Sequence, residues 1–210
     1  MTAIWGPLGW LTLHSVATSY PETPTESERA LMQSWLDMFR DTITCAYCRG
    51  HFTELLAKYR RLFPNMLYSR QEFAIFTFRA HNAVNARLVK PIYGSVEECL
   101  ATLRKATESR PARDYRVAYL NHIMQNWRTY QDITGIAAVR KILEMRRIET
   151  EYVASRDTKF DVSLTSDAVV LPSSAFTEST EQRVGPQFNP RLIGGAGGLR
   201  MTAGGFRLRR

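Results

Sequence analysis

Cys45-Ala46-Tyr47-Cys48 sets two thiols three positions apart, and that spacing suits two kinds of chemistry. In the first, the pair cycles between dithiol and disulfide, because two cysteines on a first helical turn can close on each other. The unpaired N–H groups and dipole of a helix N-terminus stabilise the thiolate that such exchange needs. In the second, the sulfurs hold zinc. His51 follows Cys48 by three residues, so Cys45, Cys48 and His51 would offer three ligands on one helical turn. No fourth ligand is evident, since the only other cysteine, Cys99, is remote in sequence. Three cysteines are too few for a stapled secreted scaffold, which favours redox use over a structural role.

A second group is His81-Asn82-Ala83-Val84-Asn85. Polar side chains at i, i+1 and i+4 interrupt an otherwise apolar helical pattern, with His81 and Asn85 on one face. Buried polar groups need partners. Either they bond to one another between helices, or a planar cofactor rich in acceptors lies among them. Trp10 and His14 form another i, i+4 pair, which is ordinarily core packing. Lys90-Pro91-Ile92-Tyr93 closes the same stretch, where a lysine in the last turn complements the helix dipole.

The elements that must position these groups read as helices. Residues 4–20 carry Trp10, His14 and Ala17 at helical spacing and stop at Pro21. Thr25 and Glu28 make a capping-box pattern, followed by Leu31, Trp35, Met38 and Phe39. A third helix runs from near Cys45 to about Tyr59, with Phe52, Leu55 and Leu56 inward. Ser69 and Glu72 open a fourth, patterned by Phe73, Phe76, Ala80, Val84 and Leu88, which ends before Pro91. A shorter fifth spans Ser95 to about Arg110. The expected fold is therefore mainly α: a four-helix bundle plus a short fifth helix over residues 1–110.

Pro111 reads as a boundary. Residues 111–181 form an extension, helical over 113–130 and 136–153, with Tyr115, Tyr119, Ile123 and Trp127 on one stripe. Phe160 to Leu164 alternates like a short strand, and 168–171 is another apolar piece. Residues 182–210 are a Gly-, Pro- and Arg-rich tail with six arginines and no acid, so much of the net charge of +8 sits there. The opening residues lack the pattern of a cleaved signal, and no apolar run reaches the length of a membrane span. The expectation is a soluble protein not exported by a cleaved signal.

Trp10-x-x-x-His14, Tyr20-Pro21, Pro24, Cys45-x-x-Cys48, His81-Asn82-x-Val84-Asn85 and Leu88-x-Lys90-Pro91 together resemble the Erv/ALR sulfhydryl oxidases in order and approximate spacing. The resemblance covers about residues 4–100. Trp5-Gly6-Pro7 is similar to the versions encoded by large DNA viruses. It implies a helical bundle holding FAD, often as a homodimer. By resemblance, Trp10, His14, Tyr20, His81, Asn82, Asn85, Lys90 and Tyr93 line the FAD, with His81 and the asparagines toward the adenosine. Cys45 and Cys48 lie against the flavin ring. The structural disulfide of many members is missing, because its positions hold Phe78 and Ser95, and a packed aromatic is expected in its place. No second cysteine pair exists to shuttle electrons within the chain.

What the resemblance implies is a flavin-dependent thiol oxidase acting on thiol-containing protein substrates. A substrate thiolate attacks Cys45, Cys48 leaves beside the flavin, and the electrons pass through FAD to O2, giving hydrogen peroxide. The expected setting is host cytoplasm at a virus assembly site, or the virion. A rival reading makes the fold a virion or capsid-associated component docked through residues 111–210. Nucleic-acid binding by the tail is the weaker idea, since its arginines are spread out and only Phe188 and Phe206 could stack on bases.

Overall fold

Three helices start with the same device. Thr25, Ser69 and Ser95 each sit in extended backbone and accept, through the side-chain oxygen, a hydrogen bond from the N–H of a glutamate three residues on. Each bond satisfies one of the donors a helix leaves free at its start. At Thr25 the box is complete, because the Glu28 carboxylate returns to the Thr25 N–H at 2.9 Å. At Ser95 the Glu98 carboxylate instead takes the N–H of Gly94, at 2.6 Å.

The computed structural model describes residues 2–129, 135–156 and 159–162. Seven α-helices follow in order: α1 (Thr2–Thr18), α2 (Glu26–Asp41), α3 (Ala46–Leu62), α4 (Arg70–Arg87), α5 (Val96–Ala106), α6 (Ala112–Gln125) and α7 (Gly135–Ile148). A 3-10 turn, Trp127–Thr129, follows α6. A wider π-helical turn, Glu149–Val153, continues α7. Among the described residues there is no strand, and no helix is long and apolar enough to cross a membrane.

The boundary expected at Pro111 does not divide two cores. Helix α1 packs most extensively against α6 and next against α4, while α7 packs on α2 and α6. Tyr119, Leu120, Ile123, Ile142, Met145 and Val153 belong to one apolar cluster with Leu13, Val16, Leu36, Phe52 and Phe76. The stripe seen in residues 113–127 is buried against the bundle, so these helices are not a free docking arm. Gly135 opens α7 beneath the Trp127 ring, where a Cβ would lie 2.1 Å from a ring carbon. The tail, 182–210, lies outside the described residues, as does the apolar piece 168–171.

A smaller cluster joins Leu11, Phe78, Val96, Cys99, Leu100, Leu103, Ala112 and Phe160. Phe78 thus packs an aromatic between α4 and α5, as expected at this position. Phe160 overturns the expected strand: its φ is 60°, left-handed, and its ring is buried. The alternating pattern there turns Phe160 and Val162 toward the same cluster without forming a strand, and the Arg104 guanidinium holds the Phe160 carbonyl at 3.2 Å. Ser163 and Leu164 lie outside the described residues.

The extension is locked by a buried ion pair. Arg116 of α6 donates to both Glu149 oxygens, at 2.8 and 3.0 Å, and to Ser15 Oγ of α1 at 2.5 Å. Both charged side chains are buried. Breaking such a pair strands a charge in the interior. Arg116→Leu is therefore expected to lower unfolding free energy in urea by ~3–5 kcal/mol. An unchanged midpoint would show that the pair does not hold the extension.

Glu28 links α2 to the turns that follow α7, accepting from Tyr152 Oη at 3.1 Å and Arg156 at 2.9 Å. Its hydrogen bond from the Thr25 backbone, helped by these partners, holds its carboxyl down at about 2, below the ordinary 4.5. A depressed acid stabilises the fold above its unfolded pKa, and that contribution fades as pH falls through the folded value. The Tm gap between wild type and Glu28→Gln should be full at pH 6 and close between pH 4.5 and 2. A gap independent of pH would mean the carboxylate charge is not what matters.

Candidate functional site

Helix α3 begins at the cysteine pair. Cys45 is its N-cap in extended backbone, and Cys45 Sγ accepts the Cys48 N–H at 3.2 Å. Sulfur here does what the hydroxyls of Thr25, Ser69 and Ser95 do elsewhere. Cys45 and Cys48 are joined as a disulfide, with Cα atoms 5.2 Å apart. Cys48 packs against the main apolar cluster, whereas Tyr47 between the two is 70% exposed. The pair therefore has an inner sulfur and an outer rim. His51 packs its ring edge-on against Tyr47, at 4.3 Å between centroids, and Arg87 of α4 lies over Tyr47 at 5.1 Å. With the sulfurs bonded to each other, the zinc alternative of Cys45, Cys48 and His51 is not assembled.

The second group converges between α1 and α4. Trp10 stacks on His81 with centroids 4.2 Å apart and planes 8° from parallel. His81 Nδ1 lies 3.0 Å from His14 Nε2, and His14 Nδ1 lies 3.0 Å from Thr77 Oγ1. The Thr77 hydroxyl donates to the Ala74 carbonyl at 2.8 Å. Its one proton is thus spent, so it must accept from His14, which assigns the His14 proton to Nδ1 and a lone pair to Nε2. Burial, and then the neighbouring His81, hold the His14 pKa well below 6.5. Burial, and then the charge of Lys90, lower His81 to about 4. Both imidazoles are neutral at pH 7; His14 spends both nitrogens on Thr77 and His81, which leaves His81 Nε2 as the pair's remaining acceptor.

Tyr93 places its ring edge-on against His81 at 5.4 Å. The segment carrying it leaves α4 through a left-handed turn. Val89 N–H bonds to the Ala86 carbonyl at 3.1 Å and Lys90 N–H to the Asn85 carbonyl at 2.9 Å, the pairing of a Schellman end. Glycine normally fills the left-handed position, but Val89 holds it at φ 54° while 93% exposed. A Cβ there costs on the order of 1–2 kcal/mol. Leu88, expected on the inner stripe, is instead 49% exposed at this helix end.

The asparagines pair with the backbone that follows α4. Asn82 donates to the Tyr93 carbonyl and accepts the Tyr93 N–H, both at 2.9 Å, and Asn85 donates to the Pro91 carbonyl at 3.1 Å. The turn leaves the backbone of 91–93 without helical partners, and these amides supply them. Tyr20 is also set apart. It is fully buried, packs edge-on against Phe73, and donates its hydroxyl to the Leu67 carbonyl at 3.0 Å. Thr77 and Phe52 were not singled out from sequence. Phe52 sits one turn beyond Cys48 on α3 and meets Trp10 at 6.4 Å, so it connects the two groups. Its signal was only an apolar position among others.

These residues fit a planar, conjugated cofactor such as FAD. The Trp10 and His81 faces are parallel and only partly buried. Uncharged imidazoles and an exposed ammonium at Lys90 suit stacking, hydrogen bonding and an anionic group.

Residues 8–107 match the Erv1/Alr family. The chain is 36% identical over 88 residues to the FAD-linked sulfhydryl oxidase of African swine fever virus (isolate Tick/Malawi/Lil 20-1/1983), covering 42% of this chain and 71% of that protein. It is 34% identical over 88 residues to the putative FAD-linked sulfhydryl oxidase 096R of Invertebrate iridescent virus 3, covering 42% and 58%. It is 37% identical over 86 residues to the mitochondrial FAD-linked sulfhydryl oxidase ERV1 of Saccharomyces cerevisiae, covering 41% and 43%. The chain thus spans about half the length of the last two. No solved structure gives a match. The matched segment ends at α5, before the helices that complete the core, and on this likeness the chain belongs to the Erv1/Alr family.

Proposed function

We propose that this protein is an FAD-linked sulfhydryl oxidase that forms disulfides in thiol-containing proteins and reduces O2 to hydrogen peroxide. The observation that carries the reading is the Cys45–Cys48 disulfide at the start of α3. Its inner sulfur packs into the core one turn from Phe52, which touches the Trp10–His81 stack. The names of the viral and yeast relatives support the same chemistry.

Cys45 is the sulfur that a substrate thiolate attacks, since Cys48 is the one packed inward. As the Cys45–Cys48 bond breaks, a mixed disulfide forms on Cys45 and Cys48 leaves as a thiolate. A second substrate thiol then displaces Cys45, so two thiols become one disulfide and the protein holds two electrons and a dithiol. The free N–H groups at the head of α3 stabilise the Cys45 thiolate while the pair is reduced. FAD, when bound, supplies the two-electron acceptor that returns the pair to the disulfide and hands the electrons to oxygen. Trp10, His14, His81 and Tyr93 would hold it, with Lys90 contributing positive charge. Asn82 and Asn85 position the segment that carries Lys90 and Tyr93. The viral relatives and the Trp5-Gly6-Pro7 opening favour a viral setting for this chemistry.

The purified protein should be yellow and consume oxygen when given a dithiol. Cys48→Ala should keep the flavin spectrum and lose turnover, because no leaving sulfur remains inside. Undiminished oxygen uptake in that variant would remove Cys48 from the mechanism. Trp10→Ala should release flavin on gel filtration while circular dichroism shows the helices intact. Retention of a full flavin equivalent would place the cofactor elsewhere.

A further inference from the structure

An open cleft of about 630 Å³ lies where α2, α3 and α7 meet. Helix α3 turns Ala46, Gly50 and Thr53 into it. Those positions share one face of the helix, while Cys48 and Phe52 lie on the opposite face. No lining residue belongs to the Trp10–His81 stack. The cleft opens at the redox pair all the same. Ala46 follows Cys45 directly, and the N–H of Arg49, also in the lining, bonds to the Cys45 carbonyl at 2.8 Å. One wall comes from beyond the family-matched segment, which ends at residue 107, because Lys141 stands on α7.

Charge at the head of the cleft is unbalanced. Asp41 is shared by Arg40 at 2.7 Å and Lys141 at 2.5 Å. Asp37 is shared by Arg40 at 2.9 Å and Arg60 at 2.7 Å. Three cations therefore divide two carboxylates. Arg49 adds a further positive charge, held by the Ile43 carbonyl at 2.6 Å. The opposing Glu54 sits farther along α3, ~12 Å from Ala46 at the helical rise. The N–H groups at the start of α3 favour negative charge at the same end.

We propose that this cleft receives the stretch of substrate polypeptide beside the attacking cysteine, that it selects acidic side chains there, and that Lys141 sets this specificity. The inference rests on the oxidase reading, in which a substrate thiolate meets Cys45. A carboxylate drawn to Arg40 and Lys141 brings the neighbouring thiol to the Cys45 end of α3. The attraction acts on encounter, so it raises kcat/KM rather than kcat. Helix α7 thus gives this chain a substrate preference that the matched segment alone does not encode.

The test uses the full, flavin-loaded chain and two Cys-x-x-Cys peptides of equal length, one flanked by Asp and Glu, the other by Lys and Arg. For each, kcat/KM from oxygen uptake at low salt is divided by the same peptide's rate with a small neutral disulfide, which removes the flanks' own effect on the thiols. The acidic-to-basic ratio should be ~3 or more, the scale of partly exposed charge pairs, and should shrink as salt rises. Lys141→Gln should lower the ratio, and Glu54→Lys, at an exposed position, should raise it. A variant that merely loosens the fold slows both peptides alike and leaves the ratio unmoved. A ratio at or below one, or one that does not respond to Glu54→Lys or to folded Lys141→Gln, would overturn the proposal. Failure of the oxidase reading shows separately, as no oxygen uptake even with dithiothreitol. The rates at which the two peptides reduce Cys45–Cys48 without oxygen still give the ratio in that case.

Discussion

The Arg116–Glu149 ion pair ties α1, α6 and the turn after α7 into one core. Its two charges come from α6 and from the π-helical turn after α7, and its third contact is Ser15 of α1. Ser15 is the neighbour of His14. A guanidinium buried this deeply tolerates little displacement, because any shift leaves donors or carboxylate oxygens without partners. Helix α1 is therefore held from one side by an extension that begins beyond the family-matched segment, while its other contacts present Trp10 and His14 to α4.

That arrangement explains why residues 111–153 cannot be treated as an appendage. Tyr119 and Ile123 of α6, with Ile142 and Met145 of α7, are as buried as any residue of the first five helices. Removing them would expose the faces of α1 and α2 to water, at a cost proportional to the apolar area uncovered.

Around the site, polar residues divide between making a surface and bracing it. Asn82 and Asn85 brace, by pairing with the backbone of 91–93. Val89 accepts a left-handed backbone so that Lys90 and Tyr93 turn back over α4. What remains to meet a ligand is aromatic and uncharged: the Trp10 and His81 faces, the Tyr93 edge and two neutral imidazoles. Burial also pushes the Cys99 thiol up to about 12, which keeps it inert toward the exchange chemistry of Cys45 and Cys48.

Local chemistry was legible from the chain alone. Thr25 and Ser69 announced helix starts because a cap needs only a side-chain oxygen and a partner three residues away. Cys45 and Cys48 announced exchange chemistry because their reach is set within one turn. The resemblance to the family rested on Cys45 and Cys48 together with Trp10, His14, Tyr20, Pro24, His81, Asn82, Asn85 and Lys90 in order. What depended on distant contacts could not be read this way. Whether Asn82 faces a ligand or the Tyr93 backbone depends on how a turn eleven residues away folds back. Phe160 looked like part of a strand because alternation over five residues does not reveal that one ring is anchored against α5. Pro111 looked like a boundary because a helix-breaking residue marks where a helix ends, not which core the next one joins. Only the packing of α6 on α1, and the charge pair buried beneath it, decided that α6 and α7 join the core of the first five helices.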